Sequence, residues 1–252
     1  MGKPLLIRDL SKAFGGVRAV ERVDVEVQPR HVHSLIGPNG AGKTTVLNCV
    51  SGFLRPDAGR VVLQGTDVTR WPPHRLVAAG LVRTFQITTL FGELTVRENV
   101  ELAVRSRLGQ NLDVIHQAGR LGQARNEAEE ALTTVGLVDR VEARSDQLSH
   151  GDKRVLEIAI ALALNPRVLL LDEPTAGMSR SEAERIARLV RAIADKVSIV
   201  LIEHDTEIVM SISDMITVMA RGRVIAQGTP SEISKDAEVR RAYLGVVEAE
   251  MG

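Results

Sequence analysis

The chain has 252 residues, 44% of them hydrophobic and 25% charged, enough for one large globular domain or a core with a smaller lobe. Its 32 basic and 32 acidic residues cancel and aromatics make up only 2%, which argues against a nucleic-acid surface built on basic patches or base-stacking platforms. The single cysteine, Cys49, rules out an intramolecular disulfide framework and fits a reducing compartment, with burial in the core as its expected role.

In chain order, Leu5 to Leu10 and Val23 to Val27 read as strands, the second from its alternation of valine with Asp24 and Glu26. The apolar run Val32, Leu35, Ile36 leads into Gly37-Pro38-Asn39-Gly40-Ala41-Gly42-Lys43-Thr44, which fills every fixed position of G-x-x-x-x-G-K-[ST], and a helical segment, Thr45 to Phe53, follows. That strand–loop–helix order is the context of a phosphate cradle. The glycines let several N–H groups converge on phosphate oxygens at a helix N-terminus. Lys43 adds a positive charge for the β- and γ-phosphates, and the Thr44 hydroxyl is a candidate Mg²⁺ ligand. These residues predict binding of a nucleoside triphosphate.

A strand near Val61 to Leu63, a helix near Pro73 to Ala79 and a strand over Leu81 to Phe85 continue the alternation. The character then changes. Thr95 to Arg107 and Gly122 to Val135 are helical, charged and rich in alanine and glutamate, with Gly136 as a C-cap. Residues 87–158 are therefore expected to form a helical lobe inserted into a core made of 1–86 and 159–252. Within it, Leu148-Ser149-His150-Gly151-Asp152 precedes an amphipathic helix, with Ser149 as its N-cap and the exposed N–H groups as a second anion site.

Val168 to Leu171 reads as a strand covered on both faces, ending in Asp172 and Glu173. At that position an aspartate can hold Mg²⁺, directly or through water, and the next glutamate can polarise a water for attack on the γ-phosphate. A helix over Ser181 to Ala194, a strand over Ser198 to Ile202, a helix from Thr206 and a hairpin turning at Arg221-Gly222 complete the pattern, and the tail 246–252 is expected to fray. The longest apolar runs, 158–164 and 197–202, are far below the ~20 residues needed to cross a bilayer, and the first four residues carry no apolar leader core. Any membrane role is expected to run through a partner chain.

Taken together, Gly37 to Thr44, Gln86, Leu148 to Asp152, Val168 to Glu173 and His204 occur in the order and spacing of the ATP-binding subunit of ABC transporters, and the resemblance extends from Phe14 to about Gly228. It implies an α/β P-loop NTPase of ABC type: a mixed central sheet, an inserted helical subdomain and an N-terminal antiparallel β subdomain. It further implies two such subunits packed head to tail, with ATP between the phosphate loop of one, including Thr45, and Ser149 and Gly151 of the other. By the same resemblance Phe14 matches the aromatic that stacks on adenine, although a place in the core is equally open to it. Gln86 matches the residue that reaches Mg²⁺ and the attacking water, and His204 matches the histidine on the γ-phosphate. The remaining histidines, His31, His33, His74, His116 and His150, show no metal-ligand spacing.

Arg83-Thr84-Phe85-Gln86, Leu90-Phe91, Ala176-Gly177-Met178-Ser179, Glu203-His204-Asp205 and Tyr243-Leu244-Gly245 look like the subfamily that serves branched-chain amino-acid uptake, with urea and amide importers close by. The resemblance implies an ATP hydrolase at the cytoplasmic face of the inner membrane, a homodimer or a heterodimer with a sister subunit. Its partners would be two permeases and, indirectly, a solute-binding protein. An exporter ATPase, a regulatory ATP-binding module and a soluble ABC ATPase of DNA repair or translation are the competing readings. Two positions depart from the usual pattern. Asp152 replaces a glutamine and either faces the γ-phosphate or, the preferred reading, points outward at the helix start, where an acid favours the dipole. Ser179 replaces an aspartate in the loop after Glu173.

Overall fold

The computed structural model describes residues 2–84, 90–109 and 118–242. Two long strands, β1 (Leu5–Phe14) and β2 (Val17–Val27), form an antiparallel hairpin, and β3 (Val32–Ile36) leads through the phosphate loop into α1 (Lys43–Val50). β4 (Ala58–Leu63) and the short β5 (Thr66–Asp67) follow, then α2 (Pro73–Ala78) and β6 (Leu81–Arg83). Three helices come next: α3 (Val96–Arg107), α4 (Ala118–Val135) and α5 (His150–Ala163). The remainder alternates β7 (Val168–Asp172), α6 (Arg180–Ala194), β8 (Ser198–Ile202) and α7 (Thr206–Ile212), and closes with β9 (Met215–Ala220), β10 (Arg223–Gly228) and α8 (Pro230–Ile233).

Two sheets result. One is antiparallel, in the order β2-β1-β4-β5; the other has six strands in the order β10-β9-β3-β8-β7-β6, parallel except for the β9–β10 hairpin. This is the mixed α/β fold with an N-terminal antiparallel sheet that the sequence predicts. The first two strands run longer than their apolar cores because bulged pairing carries the hairpin outward to Phe14 and Val17.

β3, β7 and β8 are buried at every position, so they lack the apolar–polar alternation of a half-exposed strand. Their period of two survives in what each residue touches. Leu169, Leu171, Ile199 and Leu201 pack with the helices α3 to α6, whereas Val168, Leu170, Val200 and Ile202 pack with α1 and the antiparallel sheet. Each fully buried leucine or isoleucine contributes about 1.5–3 kcal/mol, so both faces of the sheet are pinned. Cys49 is buried in the second of these clusters.

Helix ends follow local chemistry. Thr95 and Glu98 form a reciprocal capping box on α3, and Ser179 and Glu182 form another on α6. Ser149 caps α5 by accepting from the Asp152 N–H at 3.1 Å. Among the described residues no helix is long and apolar enough to cross a membrane.

Candidate functional site

The six-stranded sheet sets β8 between β3 and β7. The loop after β3 carries the phosphate motif, Asp172 ends β7 with Glu173 directly after it, and Glu203 and His204 follow β8. All three strands run parallel, so these groups meet at one sheet edge, where ligands of open α/β sheets bind.

The phosphate loop is fixed by steric necessity. A Cβ at Gly37 would sit 2.1 Å from the Met219 carbonyl oxygen, and one at Gly42, where φ is +100°, would sit 2.3 Å from that of Ala19. Only glycine fits where the loop is pressed against β9 and β2 in this way. Pro38 is half-buried and Ala41 buried, while Asn39 and Gly40 are exposed at the rim. Gly42 caps α1 without a side-chain bond, and the first turn of α1 holds no acidic residue. Its leading N–H groups, on Lys43, Thr44 and Thr45, thus open an anion site. Lys43 is buried, and its Nζ donates to the carbonyls of Gly37 at 2.7 Å and Pro38 at 3.1 Å. Burial lowers the Lys43 pKa, while the carboxylates of Glu173 and Asp172 oppose that shift. The cation and the two acids therefore share one electrostatic neighbourhood.

Asp172 is buried, and its Oδ2 accepts from Arg83 Nη2 at 2.7 Å. Arg83 Nη1 also donates to Asn48 Oδ1 and Ser51 Oγ on and beside α1. Glu173 adopts φ +48°, a left-handed conformation that costs a non-glycine residue ~1–3 kcal/mol and is concentrated at functional sites. Its N–H is held by the Ile202 carbonyl at 2.9 Å, and its Oε1 lies 2.7 Å from His204 Nε2. Beneath them the buried Glu203 accepts from the N–H and hydroxyl of Thr175, and burial raises its pKa. Glu173 also lines a cleft of about 380 Å³ with Leu90, His150, Arg154 and Ala176.

Phe14 is 48% exposed, so it is not a core residue. Asp57 fixes its strand by accepting from Ala13 N–H at 2.7 Å and Lys12 Nζ at 2.8 Å, which leaves the ring presented to solvent. Asp152 turns away from the helix start toward α6, where its Oδ1 accepts from Arg185 Nη1 at 2.8 Å. Ser149 is exposed at the start of α5, and Gly151 is buried there, its Cα facing Glu182 closely enough that a Cβ would lie 3.0 Å from Oε1. Gln86 and Tyr243-Leu244-Gly245 lie outside the described residues.

Three residues of this neighbourhood were given no role at the site from the sequence: Arg83 and Glu203, which entered only as parts of subfamily segments, and Arg154. Arg83 is a charge closing the apolar strand Leu81-Val82, and Arg154 stands one turn before Ile158 on the buried face of α5. A lone charge in an apolar register was the available signal in both cases. Glu203 had none, since any acid beside the expected His204 reads alike.

Among the described residues no group of three His, Cys, Asp or Glu is placed to hold a metal ion. The oxygen donors Thr44 and Asp172 still suit Mg²⁺, which is held by one or two protein oxygens together with phosphates and water.

A family profile described as ABC transporter matches residues 20–176, and one described as branched-chain amino acid ATP-binding cassette transporter matches residues 223–249. The high-affinity branched-chain amino acid transport ATP-binding protein LivG of Escherichia coli K12 is 39% identical over 253 aligned positions, covering 97% of this chain and 99% of its own. The corresponding protein BraF of Pseudomonas aeruginosa is likewise 39% identical, with the same coverage. A crystal structure of an ATP-binding cassette of an ABC transporter in its ADP conformation matches with a TM-score of 0.84 at 29% identity, over 97% of this chain and 100% of that one. With its phosphate loop, carboxylate pair and inserted helices in this arrangement, the chain belongs to the ABC transporter family, among the ATP-binding subunits of the branched-chain amino-acid type.

Proposed function

We propose that this chain is the ATPase subunit of an importer for branched-chain amino acids, bound peripherally at the cytoplasmic face of the inner membrane through two permease subunits. The observation that carries the reading is the meeting of Lys43, Asp172, Glu173 and His204 at one sheet edge, in a chain 39% identical to LivG almost throughout.

In this mechanism the N–H groups from Gly40 to Thr45 and the Lys43 ammonium hold the β- and γ-phosphates. Phe14 stacks on the adenine. Thr44, Asp172 and Gln86 would hold Mg²⁺, which would supply positive charge against the phosphate oxygens. Glu173 orients a water and takes its proton as the oxygen attacks the γ-phosphorus; the bond to the β-phosphate oxygen breaks, and ADP and phosphate leave. His204 fixes the Glu173 carboxylate and contacts the γ-phosphate.

Ser149 and Gly151 would complete the site of a second ATPase subunit, so the working unit is a head-to-tail dimer of this chain with itself or with a sister subunit. The division into a core (1–86 and 159–252) and a helical lobe (87–158) supplies the moving parts. Gln86 reports closure to the permeases, which a solute-binding protein feeds from outside.

The test is uptake of labelled leucine, isoleucine, valine and urea in cells whose copy of the gene encodes either this chain or its Glu173→Gln variant. The variant should bind ATP, lose nearly all turnover and abolish branched-chain uptake selectively. Loss of urea uptake instead would change the substrate, and wild-type turnover in the variant would refute the assignment of Glu173.

A further inference from the structure

Arg154 lies five positions after Ser149 on α5, yet its side chain leaves that helix and ends on the loop that carries Glu173. The residue is only 9% exposed. Its Nη2 donates to the carbonyl oxygens of Asp172 and Glu173, both at 2.9 Å, and its Nε to that of Pro174 at 3.2 Å. Nη1 is held by Glu157 at 2.6 Å, one turn further along the same helix. One guanidinium thus binds three successive carbonyls across the residue whose φ is +48°. Strained backbone of this kind persists only where its surroundings over-determine it, and a planar fork of donors suits that task better than a point charge.

We infer that Arg154 is a positioning residue for hydrolysis: it ties the backbone of Glu173 to α5, so that the helix capped by Ser149 sets the aim of the water-activating carboxylate in its own chain. The inference rests on the reading of Glu173 as the residue that handles water. Displacing that carboxylate by ~1 Å is enough to reduce turnover on the order of 100-fold without touching nucleotide contacts. Lysine keeps the charge but cannot span three carbonyls, so it should not restore the aim.

The experiment compares Arg154→Ala, Arg154→Lys, Glu157→Gln and Glu173→Gln in the purified full chain, measuring ATP turnover, affinity for a fluorescent ATP analogue and thermal midpoint. Both Arg154 variants should lose turnover by ~10- to 100-fold with analogue affinity within about two-fold of wild type, a split between kcat and binding that marks loss of transition-state positioning. Glu157→Gln should show a smaller loss of the same kind. Full turnover in Arg154→Lys would overturn the inference, because charge alone would then suffice. A parallel fall of turnover, affinity and thermal midpoint in all three clamp variants would also overturn it, by reducing Arg154 to a fold-stabilising contact. Wild-type turnover in Glu173→Gln would instead remove the underlying reading of Glu173, whereas an inactive Glu173→Gln beside fully active clamp variants would overturn the clamp alone.

Discussion

Replacing Arg83 with methionine breaks a buried ion pair at the site. The Arg83 and Asp172 side chains are 8% and 6% exposed, and their charged atoms lie 2.7 Å apart. Methionine fills much of the same space but leaves the Asp172 carboxylate buried without its cation, a change that costs ~3–5 kcal/mol when one partner of such a pair is removed. For a chain of this size each kcal/mol moves the thermal midpoint by ~2–4 °C, so Arg83→Met should melt ~6–20 °C below wild type. Ser51 Oγ keeps its own bond to the Leu47 carbonyl, so the loss falls mainly on Asp172 and Asn48. Urea titration should give a lower midpoint at an unchanged slope. Adding Asp172→Asn removes the stranded charge, and the double variant should recover at least ~1 kcal/mol relative to the sum of the single changes. A penalty below ~1 kcal/mol for Arg83→Met, or strict additivity in the double variant, would refute the reasoning.

Two further outcomes follow from the same geometry. His33 is buried on β3 with Nε2 2.8 Å from Thr217 Oγ1, and burial pushes its pKa from 6.5 down to about 4. Between those values the unfolded chain takes up a proton that the folded chain refuses, so stability falls with pH by ~1.4 kcal/mol per unit and on the order of 3 kcal/mol by pH 4. Chemical denaturation from pH 7 to pH 4 should show this loss shrinking in His33→Gln, and an identical pH dependence in the variant would count against it. Gly42→Ala would drive a Cβ into the Ala19 carbonyl at a φ of +100°, and should cost more than the ~1–3 kcal/mol of backbone strain alone. ATP titration should find affinity lost, and an alanine variant that still binds ATP normally would show that the loop can yield.

The six-residue run from Gly37 to Gly42, together with Lys43 and Thr44, was legible in the sequence because its chemistry is local: the N–H groups of the proposed phosphate cradle all come from one turn and one helix start. The buried strands β7 and β8 were legible too, as short apolar runs with abrupt polar ends, and so was the Ser149 cap of α5. What the tertiary structure decided is adjacency. Nothing in the order of the motifs says that β8 lies between β3 and β7, yet that placement brings His204 within 2.7 Å of Glu173. Nor does local pattern tell that Phe14 is presented to solvent, that Asp152 is taken up by Arg185, or that Arg83 and Arg154 leave their own elements to hold Asp172 and the Glu173 backbone. Periodicity and propensity act over a few residues, whereas a buried charge must find its partner wherever packing places one, in these cases 89 and 19 residues away.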